Sequence, residues 1–127
     1  MNAVVLGVGS NIQPRFNISQ AKGLLSKEQR FVNESTFVAT SPIGFADQPD
    51  FVNGAFLVET EMELADFEKY CKDLESRLGR VHTGNKNGPR TIDLDIIAWN
   101  GRIVNNDFYE REFLKRAVVE LLPGINP

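Results

Sequence analysis

The sequence predicts an α+β domain, a β-α-β-β-α-β sandwich with a mainly antiparallel sheet, helices on one face, and an added C-terminal hairpin and helix. Three observations lead to this prediction. The chain has 127 residues, which suits a single domain, 1–127, with one hydrophobic core. Apolar residues recur with a helical period in some segments and form short β-branched runs in others. Glycines and prolines fall mostly between these segments, where turns are expected.

The first half of the chain contains three of the predicted strands and one helix. Residues 3–8, AVVLGV, form a β-branched run that ends at the turn-forming residues 9–11 and predict a buried strand. A helix is expected over about 16–27, capped by Asn17 or Ser19. Residues 31–40 and 51–60 predict the second and third strands. Two prolines and a glycine between them, in residues 41–50, predict a shaped loop.

The second half begins with the clearest helical pattern of the chain. Over residues 63–78 the apolar positions are spaced by three and four, so that they share one helical face: Leu64, Phe67, Cys71, Leu74 and Leu78. Gly79 ends this helix, and residues 80–90 form a polar loop. Residues 91–99 predict the fourth strand, and Asn100-Gly101 predicts a hairpin turn into residues 102–104. The last helix is expected over about 107–122.

Composition and charge exclude several classes of function. A net charge of −3 and a pI near 5.2 argue against nucleic acid as a partner. The single cysteine cannot form an intramolecular disulfide, and the N-terminal residues lack the pattern of a signal peptide. No apolar segment approaches the ~20 residues that span a bilayer, so no membrane partner is expected. We therefore expect a cytoplasmic protein. Its one histidine, His82, excludes a metal site built from several histidines.

Two aspartates lie one residue apart in the apolar run of the fourth strand. Because side chains alternate along a strand, Asp93 and Asp95 share one face while Ile92, Leu94 and Ile96 share the other. Two carboxylates at this spacing repel each other by roughly 2.5 kcal/mol at an effective dielectric near 20. Mg²⁺ is commonly held by one or two carboxylates together with substrate phosphates. The pair therefore indicates a metal site; the alternative is a solvated sheet face.

The loop before this strand is rich in hydrogen-bond donors. Arg80 and Arg90 flank it, and guanidinium groups suit bidentate recognition of phosphate. Further donors lie between them at His82, Asn85, Lys86 and Asn87. Singly, each is more typical of a protein surface. Together with the glycines and the carboxylate pair they predict a mobile loop that binds polyphosphate.

The segment from Thr40 to Asn53 is a second candidate binding element. Phe45 and Phe51 lie close to prolines, in a segment whose backbone groups are not all used by a sheet. The amide of Asn53 could pair with a planar heterocycle, and Phe51 could stack on it. The alternative is a hydrophobic loop packed on the core, with a structural asparagine. GVGSN at residues 7–11 lacks the endings of a P-loop or a dinucleotide fingerprint.

Four motifs in this order resemble the 6-hydroxymethyl-7,8-dihydropterin pyrophosphokinase family. They are GVGSN, SPIGFADQPDFVNGA, LESRLGRV and GPRTIDLDII, and the resemblance covers roughly the first four-fifths of the chain. The resemblance implies a ferredoxin-like βαββαβ core with added elements. It also implies an ATP-dependent transferase of folate biosynthesis, which moves pyrophosphate from ATP to a pterin alcohol. The expected partners are thus two small molecules, the pterin and ATP.

The resemblance also implies roles for individual residues. Asp93 and Asp95 would hold two Mg²⁺ ions, with Arg80 and Arg90 completing the catalytic set. The pterin would be bound by Thr40, Ile43, Phe51 and Asn53, and the nucleotide by Glu75 and Ile96. His82, as a donor of the polar loop, is a further candidate for contact with the nucleotide.

The C-terminal segment departs from the family pattern. It contains no histidine, and the family's arginine there has two candidate replacements, Lys115 and Arg116. Ala117 falls near the position of a second aromatic residue of the pterin pocket. These departures leave an alternative open, namely a pterin-binding pseudoenzyme or regulatory module that has lost efficient use of ATP. An unrelated ferredoxin-like regulatory or assembly module is a third hypothesis.

Overall fold

The computed structural model describes residues 1–42, 44, 47–80 and 89–125, and within them an antiparallel sheet of six strands with helices on both faces. The spatial order is β2-β4-β1-β5-β6, and β3 pairs with β4 beyond the end of β2. The elements in chain order are Asn2–Ser10 (β1), Pro14–Glu28 (α1), Arg30–Glu34 (β2), Val38–Thr40 (β3), Phe51–Thr60 (β4), Leu64–Arg77 (α2), Asp93–Trp99 (β5), Arg102–Ile103 (β6), Asp107–Glu110 (α3) and Glu112–Leu121 (α4).

The sheet separates two hydrophobic clusters. The larger cluster packs α1 and α2 against one face, through residues such as Val4, Leu6, Phe56 and Phe67. The predicted α+β sandwich, with the helices of its βαββαβ core on one face, is therefore confirmed. The smaller cluster packs α3 and α4 against the opposite face, and includes Val118. The sequence had predicted the added C-terminal helix without assigning it to a face.

Two predicted elements are divided in the structure. The second strand is interrupted between β2 and β3, where the Ser35 hydroxyl accepts the N–H of Ala55 at 2.8 Å. The C-terminal helix is broken at Arg111, whose backbone is extended with φ −121° and ψ 107°. The first helix begins at Pro14, so Asn17 lies inside it and does not cap it. Proline suits a first helical turn because it has no backbone N–H, and an N–H at that position would have no partner within the helix.

The strand β5 carries a bulge two residues after Asp95. Leu6 pairs with Ile96 and Val5 pairs with Ala98, so Ile97 is the extra residue. Leu94 and Ile96 belong to the α1 and α2 cluster, as the alternation predicted, whereas Ile97 and Ala98 belong to the opposite cluster. Asp93 and Asp95 alternate with Leu94 and therefore lie on the face that carries α4.

Two sequence-based expectations, the apolar environment of Cys71 and the lack of a membrane-spanning segment, can be compared with the structure. Cys71 is 2% exposed in the core, and burial raises the pKa of its thiol to about 12, as expected for a structural cysteine. In the part of the chain that the structure describes, no helix has the length and apolar character required to cross a membrane.

Candidate active site

A cavity of about 380 Å³ opens on the α4 face of the sheet, at the end where the predicted site residues lie. Strands β1, β4 and β5 form its floor, and the segments around Thr40, Arg80, Arg90 and Arg111 form its walls. Seven of the predicted site residues line it, namely Thr40, Phe51, Asn53, Arg80, Arg90, Asp93 and Asp95.

The floor of the cavity is the glycine-containing part of β1. Gly9 pairs with Asn53 on one side and with Asp93 on the other, and Gly7 occupies the corresponding place opposite Asp95. Because neighbouring strands are about 4.8 Å apart, Asn53 and Asp93 stand about 10 Å from each other with no side chain between them. A Cβ atom on Gly9 would lie 2.5 Å from Asn53 Oδ1, so glycine is required for Asn53 to adopt this position. The GVG motif thus provides space rather than a phosphate loop.

One side of the cavity carries the residues predicted for a planar heterocycle. Asn53 Nδ2 donates to Thr40 Oγ1 at 2.6 Å, which fixes the orientation of the amide. Thr40 is paired with Phe51 across strands β3 and β4, so the three side chains are held by the register of the sheet. Of the other residues predicted for this pocket, Ile43 lies outside the described residues, as does Phe45.

The opposite side carries the two aspartates. Burial, followed by the charge of Asp93, raises the pKa of Asp95 from 3.8 to about 7. A buried carboxylate beside another one is stabilised by a bound cation, so the donor set fits a divalent metal ion. Among the described residues, no three His, Cys, Asp or Glu side chains converge. The metal would therefore complete its coordination with water and substrate oxygens, as is usual for Mg²⁺.

Both predicted arginines contact this carboxylate pair. Arg80 Nη1 lies 2.9 Å from Asp93 Oδ1 and 2.8 Å from Glu75 Oε2, and the Arg80 side chain is only 13% exposed. Arg90 Nη1 lies 3.8 Å from Asp93 Oδ2. Asp93 therefore has two cationic neighbours. The negative charge of Asp95 is balanced less completely, and this is the carboxyl whose pKa is raised.

Glu75, predicted from the resemblance to contact the nucleotide, is placed elsewhere. Its side chain is fully buried, and Oε2 accepts the N–H of Leu94 at 2.7 Å in addition to the ion pair with Arg80. The pKa of Glu75 is raised above its usual value, mainly by burial. The hydrogen bond from Leu94 and the charge of Arg80 oppose this shift without cancelling it. Glu75 is not among the residues that line this cavity, and its contact with the nucleotide stays a prediction. Its contacts indicate that it holds Arg80 and the start of β5.

A second groove of about 450 Å³ adjoins the cavity, between α2 and the edge of β5. Ile96, another residue predicted to contact the nucleotide, lines this groove and is 8% exposed. Lys72 and Asp95 line both the groove and the cavity, so they mark the boundary between the two. His82, the remaining residue predicted for the nucleotide, lies outside the described residues.

The structure adds cavity residues that sequence reasoning missed, and Lys72 is one of them. Arg111 and Phe113 line the cavity from the break between α3 and α4. The candidates considered from the sequence lie elsewhere. Arg116 is exposed and is 3.4 Å from Glu112, the Lys115 ammonium lies over the Phe108 ring, and Ala117 is buried in the smaller cluster.

The sequence of this chain is similar to those of several known proteins. The sequence model of the 7,8-dihydro-6-hydroxymethylpterin-pyrophosphokinase family matches residues 5–123. The 2-amino-4-hydroxy-6-hydroxymethyldihydropteridine pyrophosphokinase of Helicobacter pylori is 33% identical over 110 residues, which are 84% of this chain and 68% of that protein. Its counterpart of the same name from Haemophilus influenzae is 30% identical over 125 residues, 90% of this chain and 78% of that protein.

A longer relative is the folic acid synthesis protein FOL1 of Dictyostelium discoideum, which is 36% identical over 133 residues. The match covers 97% of this chain and 20% of that protein, so the chain spans about a fifth of the relative's length. A family match that includes most of β1, the cavity residues and α4 accounts for nearly all of the described fold. The chain belongs to the 7,8-dihydro-6-hydroxymethylpterin-pyrophosphokinase family.

Proposed function

We propose that this chain transfers the pyrophosphoryl group of ATP to the hydroxymethyl oxygen of 6-hydroxymethyl-7,8-dihydropterin, a step in folate biosynthesis. The observation that carries the proposal is the row of residues across β4, β1 and β5. In this row, Asn53 and Asp93 face one cavity from opposite sides of Gly9. One side of the cavity suits a planar heterocycle, and the other suits metal-bound phosphates. A reaction between two substrates requires both to be held at a defined separation.

The heterocycle side supports recognition of a pterin. An asparagine amide offers both donors and an acceptor, which match the amide-like edge of the pterin ring. Because Asn53 is already oriented by Thr40, little side-chain freedom is lost when the ligand binds. Phe51 and Phe113 line the same cavity and supply aromatic faces against which a flat ring can stack.

The aspartate side supports binding of magnesium. Asp93 and Asp95 would hold Mg²⁺, and two ions are proposed because the family resemblance implies two. When bound, the metal neutralises phosphate charge and polarises the phosphoryl group that is transferred. The raised pKa of Asp95 supports this assignment, since it reports a negative charge that the described side chains do not fully compensate.

Three arginines are available to the phosphates. Arg80 is held between Glu75 and Asp93, so its guanidinium is oriented before substrate binds, and such preorganised charge is effective in stabilising a transition state. Arg90 and Arg111 line the same cavity. The adjacent groove containing Ile96 is of a size that suits the nucleoside, which would place the phosphates near the boundary with the cavity.

The proposed step forms one bond and breaks one. The hydroxymethyl oxygen bonds to the β-phosphorus of ATP and loses its proton. The bond between the β-phosphorus and the oxygen that bridges it to the α-phosphorus breaks, and AMP leaves with that oxygen. In phosphoryl transfer of this kind, positioning and electrostatic stabilisation supply most of the catalysis. The residues of this chain would therefore act by holding the two substrates in line and by balancing charge.

An AMP-release assay tests the proposal. With the dihydropterin alcohol, ATP and Mg²⁺, we expect AMP and pterin diphosphate in equal amounts. We expect less than a hundredth of that rate from the double variant Asp93→Asn and Asp95→Asn. Asp73→Asn is the matched control, because Asp73 lies on α2 with its side chain 64% exposed and away from the cavity. AMP production no faster than in the double variant would refute the proposed activity.

The alternative of a pterin-binding pseudoenzyme predicts binding of the pterin without binding of Mg-ATP. That hypothesis was based partly on the absence of a C-terminal arginine and of a second aromatic residue. Arg111 and Phe113 at the cavity weaken this basis. Calorimetric titration with each ligand separately distinguishes the two hypotheses.

A further inference from the structure

We infer that Asn11 is a positioning residue that ties the loop on the pterin side of the cavity to the arginine segment on the phosphate side. The inference rests on the proposed function, since that function assigns the two sides to two substrates. Asn11 directly follows β1 at the end of the GVGSN motif, and it is only 5% exposed. Among the described residues it is not part of the cavity lining, so it acts through its neighbours.

On the phosphate side, Asn11 holds the backbone of Arg90 through two hydrogen bonds. Its Oδ1 accepts the N–H of Arg90 at 2.9 Å, and its own backbone N–H donates to the Arg90 carbonyl oxygen at 3.2 Å. Arg90 in turn approaches Asp93 with its guanidinium at 3.8 Å. Fixing both backbone groups of Arg90 fixes the point from which this guanidinium extends toward the carboxylates.

On the pterin side, the Asn11 amide group holds the end of the loop that precedes β4. Nδ2 donates to Gln48 Oε1 at 2.8 Å and to the Pro49 carbonyl oxygen at 3.1 Å. Pro49 lies two residues before Phe51, the first residue of β4 and part of the cavity lining. Both amide hydrogens and the amide oxygen of Asn11 are therefore used, and they reach two segments that are about forty positions apart in the sequence.

This arrangement makes the two walls of the cavity interdependent. A buried amide that loses one partner retains an unsatisfied polar group. Asn11 keeps all of its hydrogen bonds only when both segments are in place, so an ordered position of one segment favours an ordered position of the other. A ligand that orders the Arg90 segment therefore also favours the ordered form of the loop at Gln48 and Pro49. Reciprocity requires the same effect in the opposite direction. Asn11 is thus expected to transmit positive coupling between nucleotide and pterin binding.

Binding measurements on three variants test the inference. The dissociation constant of the pterin is measured by calorimetry with and without Mg²⁺ and α,β-methylene-ATP, in which the scissile bridge is not cleaved. The ratio of the two constants is the coupling factor, and we expect it to be tenfold or more in the unmodified chain. Asn11→Ala should reduce it to less than twofold. Asn17→Ala is the matched control, because Asn17 is 6% exposed and, among the described residues, its side-chain amide bonds only locally, to the Ile12 carbonyl oxygen.

Asn11→Asp provides a second variant in case the alanine variant is poorly folded. The carboxylate keeps an acceptor for the Arg90 N–H but has no donor for the Pro49 carbonyl. In hydrogen exchange without ligands, we expect faster exchange in a peptide over 47–53 with normal exchange near Arg90. In Asn11→Ala, exchange should be faster at both places.

The outcomes separate failure of the inference from failure of the proposed function. If the unmodified chain binds neither ligand, the proposed function is wrong and the inference falls with it. If it binds both, but the coupling factor is unity or is the same in the Asn11 variants, only the inference is overturned. Equal loss of coupling in Asn17→Ala would also overturn it, because the effect would then follow from a general loss of stability.

Discussion

Asp95→Asn is expected to stabilise the metal-free protein above pH 7 and to reduce strongly its stabilisation by Mg²⁺. Burial and the neighbouring Asp93 raise the pKa of Asp95 from 3.8 to about 7, so the folded protein binds this proton more tightly than the unfolded chain does. The stabilising effect of the proton is complete below pH 3.8 and is lost as the pH rises through 7. At pH 8 the wild-type carboxyl is ionised, whereas asparagine has nearly the same shape and stays neutral.

The difference between 3.8 and about 7, at about 1.4 kcal/mol for each pH unit, sets an upper limit of about 4 kcal/mol for this effect. Asp95 keeps some exposure at the cavity, and solvent screens part of the charge. We therefore expect the variant to gain about 2 kcal/mol in the free energy of unfolding at pH 8, or about 6 to 8 °C in melting temperature. The gain should shrink at pH 5, where the wild-type carboxyl is largely protonated in the folded state.

Urea denaturation at pH 5 and pH 8, in a chelating buffer and then with Mg²⁺, measures both parts of this prediction. Mg²⁺ should stabilise the wild type at pH 8, because a ligand that binds only the folded state adds to its stability. The Asp95→Asn variant should respond much less. Asp73→Asn, on the exposed side of α2, should behave as the wild type does. A gain of the same size at both pH values, or no gain at pH 8, would show that Asp95 is not a buried, uncompensated carboxylate.

Two further substitutions test the floor and the wall of the cavity. Gly9→Ala places a Cβ atom 2.5 Å from Asn53 Oδ1 and should displace that amide, lowering pterin affinity by about ten- to a hundredfold through lost hydrogen bonds. Gly23→Ala, in open space within α1, should leave affinity unchanged and stabilise the helix by up to about 1 kcal/mol in thermal unfolding. Arg111→Ala should raise the KM for ATP by about tenfold or more through loss of a charge-assisted contact. Steady-state kinetics with the exposed Arg116→Ala should show no such change; equal effects of the two would exclude a specific role for Arg111.

The parts of the fold that the sequence predicted well are those in which local pattern and burial agree. The strand β4 was predicted over its observed range because residues 51–60 are largely apolar, although they alternate imperfectly. The helix α2 was predicted to within a residue at each end because its apolar positions are spaced by three and four. The interruption between β2 and β3 depends instead on contacts distant in sequence. Phe37 packs so closely over Gly54 that a Cβ there would lie 2.6 Å from its ring. No local sequence pattern near Phe37 predicts that it packs on a glycine seventeen positions later.

The missed arginine shows the same limitation at the site. Residues 107–122 contain apolar residues at helical spacing and no glycine or proline before the end, so a continuous helix was the natural prediction. A single extended residue, Arg111, breaks it and allows both Arg111 and Phe113 to line the cavity. Lys115 and Arg116 were considered instead because the resemblance implies an arginine in this segment. The available signal was the spacing of Arg111 and Phe113, which are two apart and so share a face only if the backbone is extended.

The first strand shows how one face of a sheet can be core while the other is an active site. Val4, Leu6 and Val8 fill the larger hydrophobic cluster, and the alternate positions are Val5, Gly7 and Gly9. A Cβ on Gly7 would lie 3.2 Å from Ile97 and 3.3 Å from Leu114, so this glycine lets α4 approach the sheet closely. Gly9, one step further along the same face, leaves the space in which Asn53 and Asp93 face each other. The two-residue alternation of side chains along β1 therefore explains the glycines of the GVG motif better than its resemblance to a phosphate loop does. Asn11 is two residues after Gly9. The strand has ended there, and the Asn11 side chain bonds to both walls of the cavity.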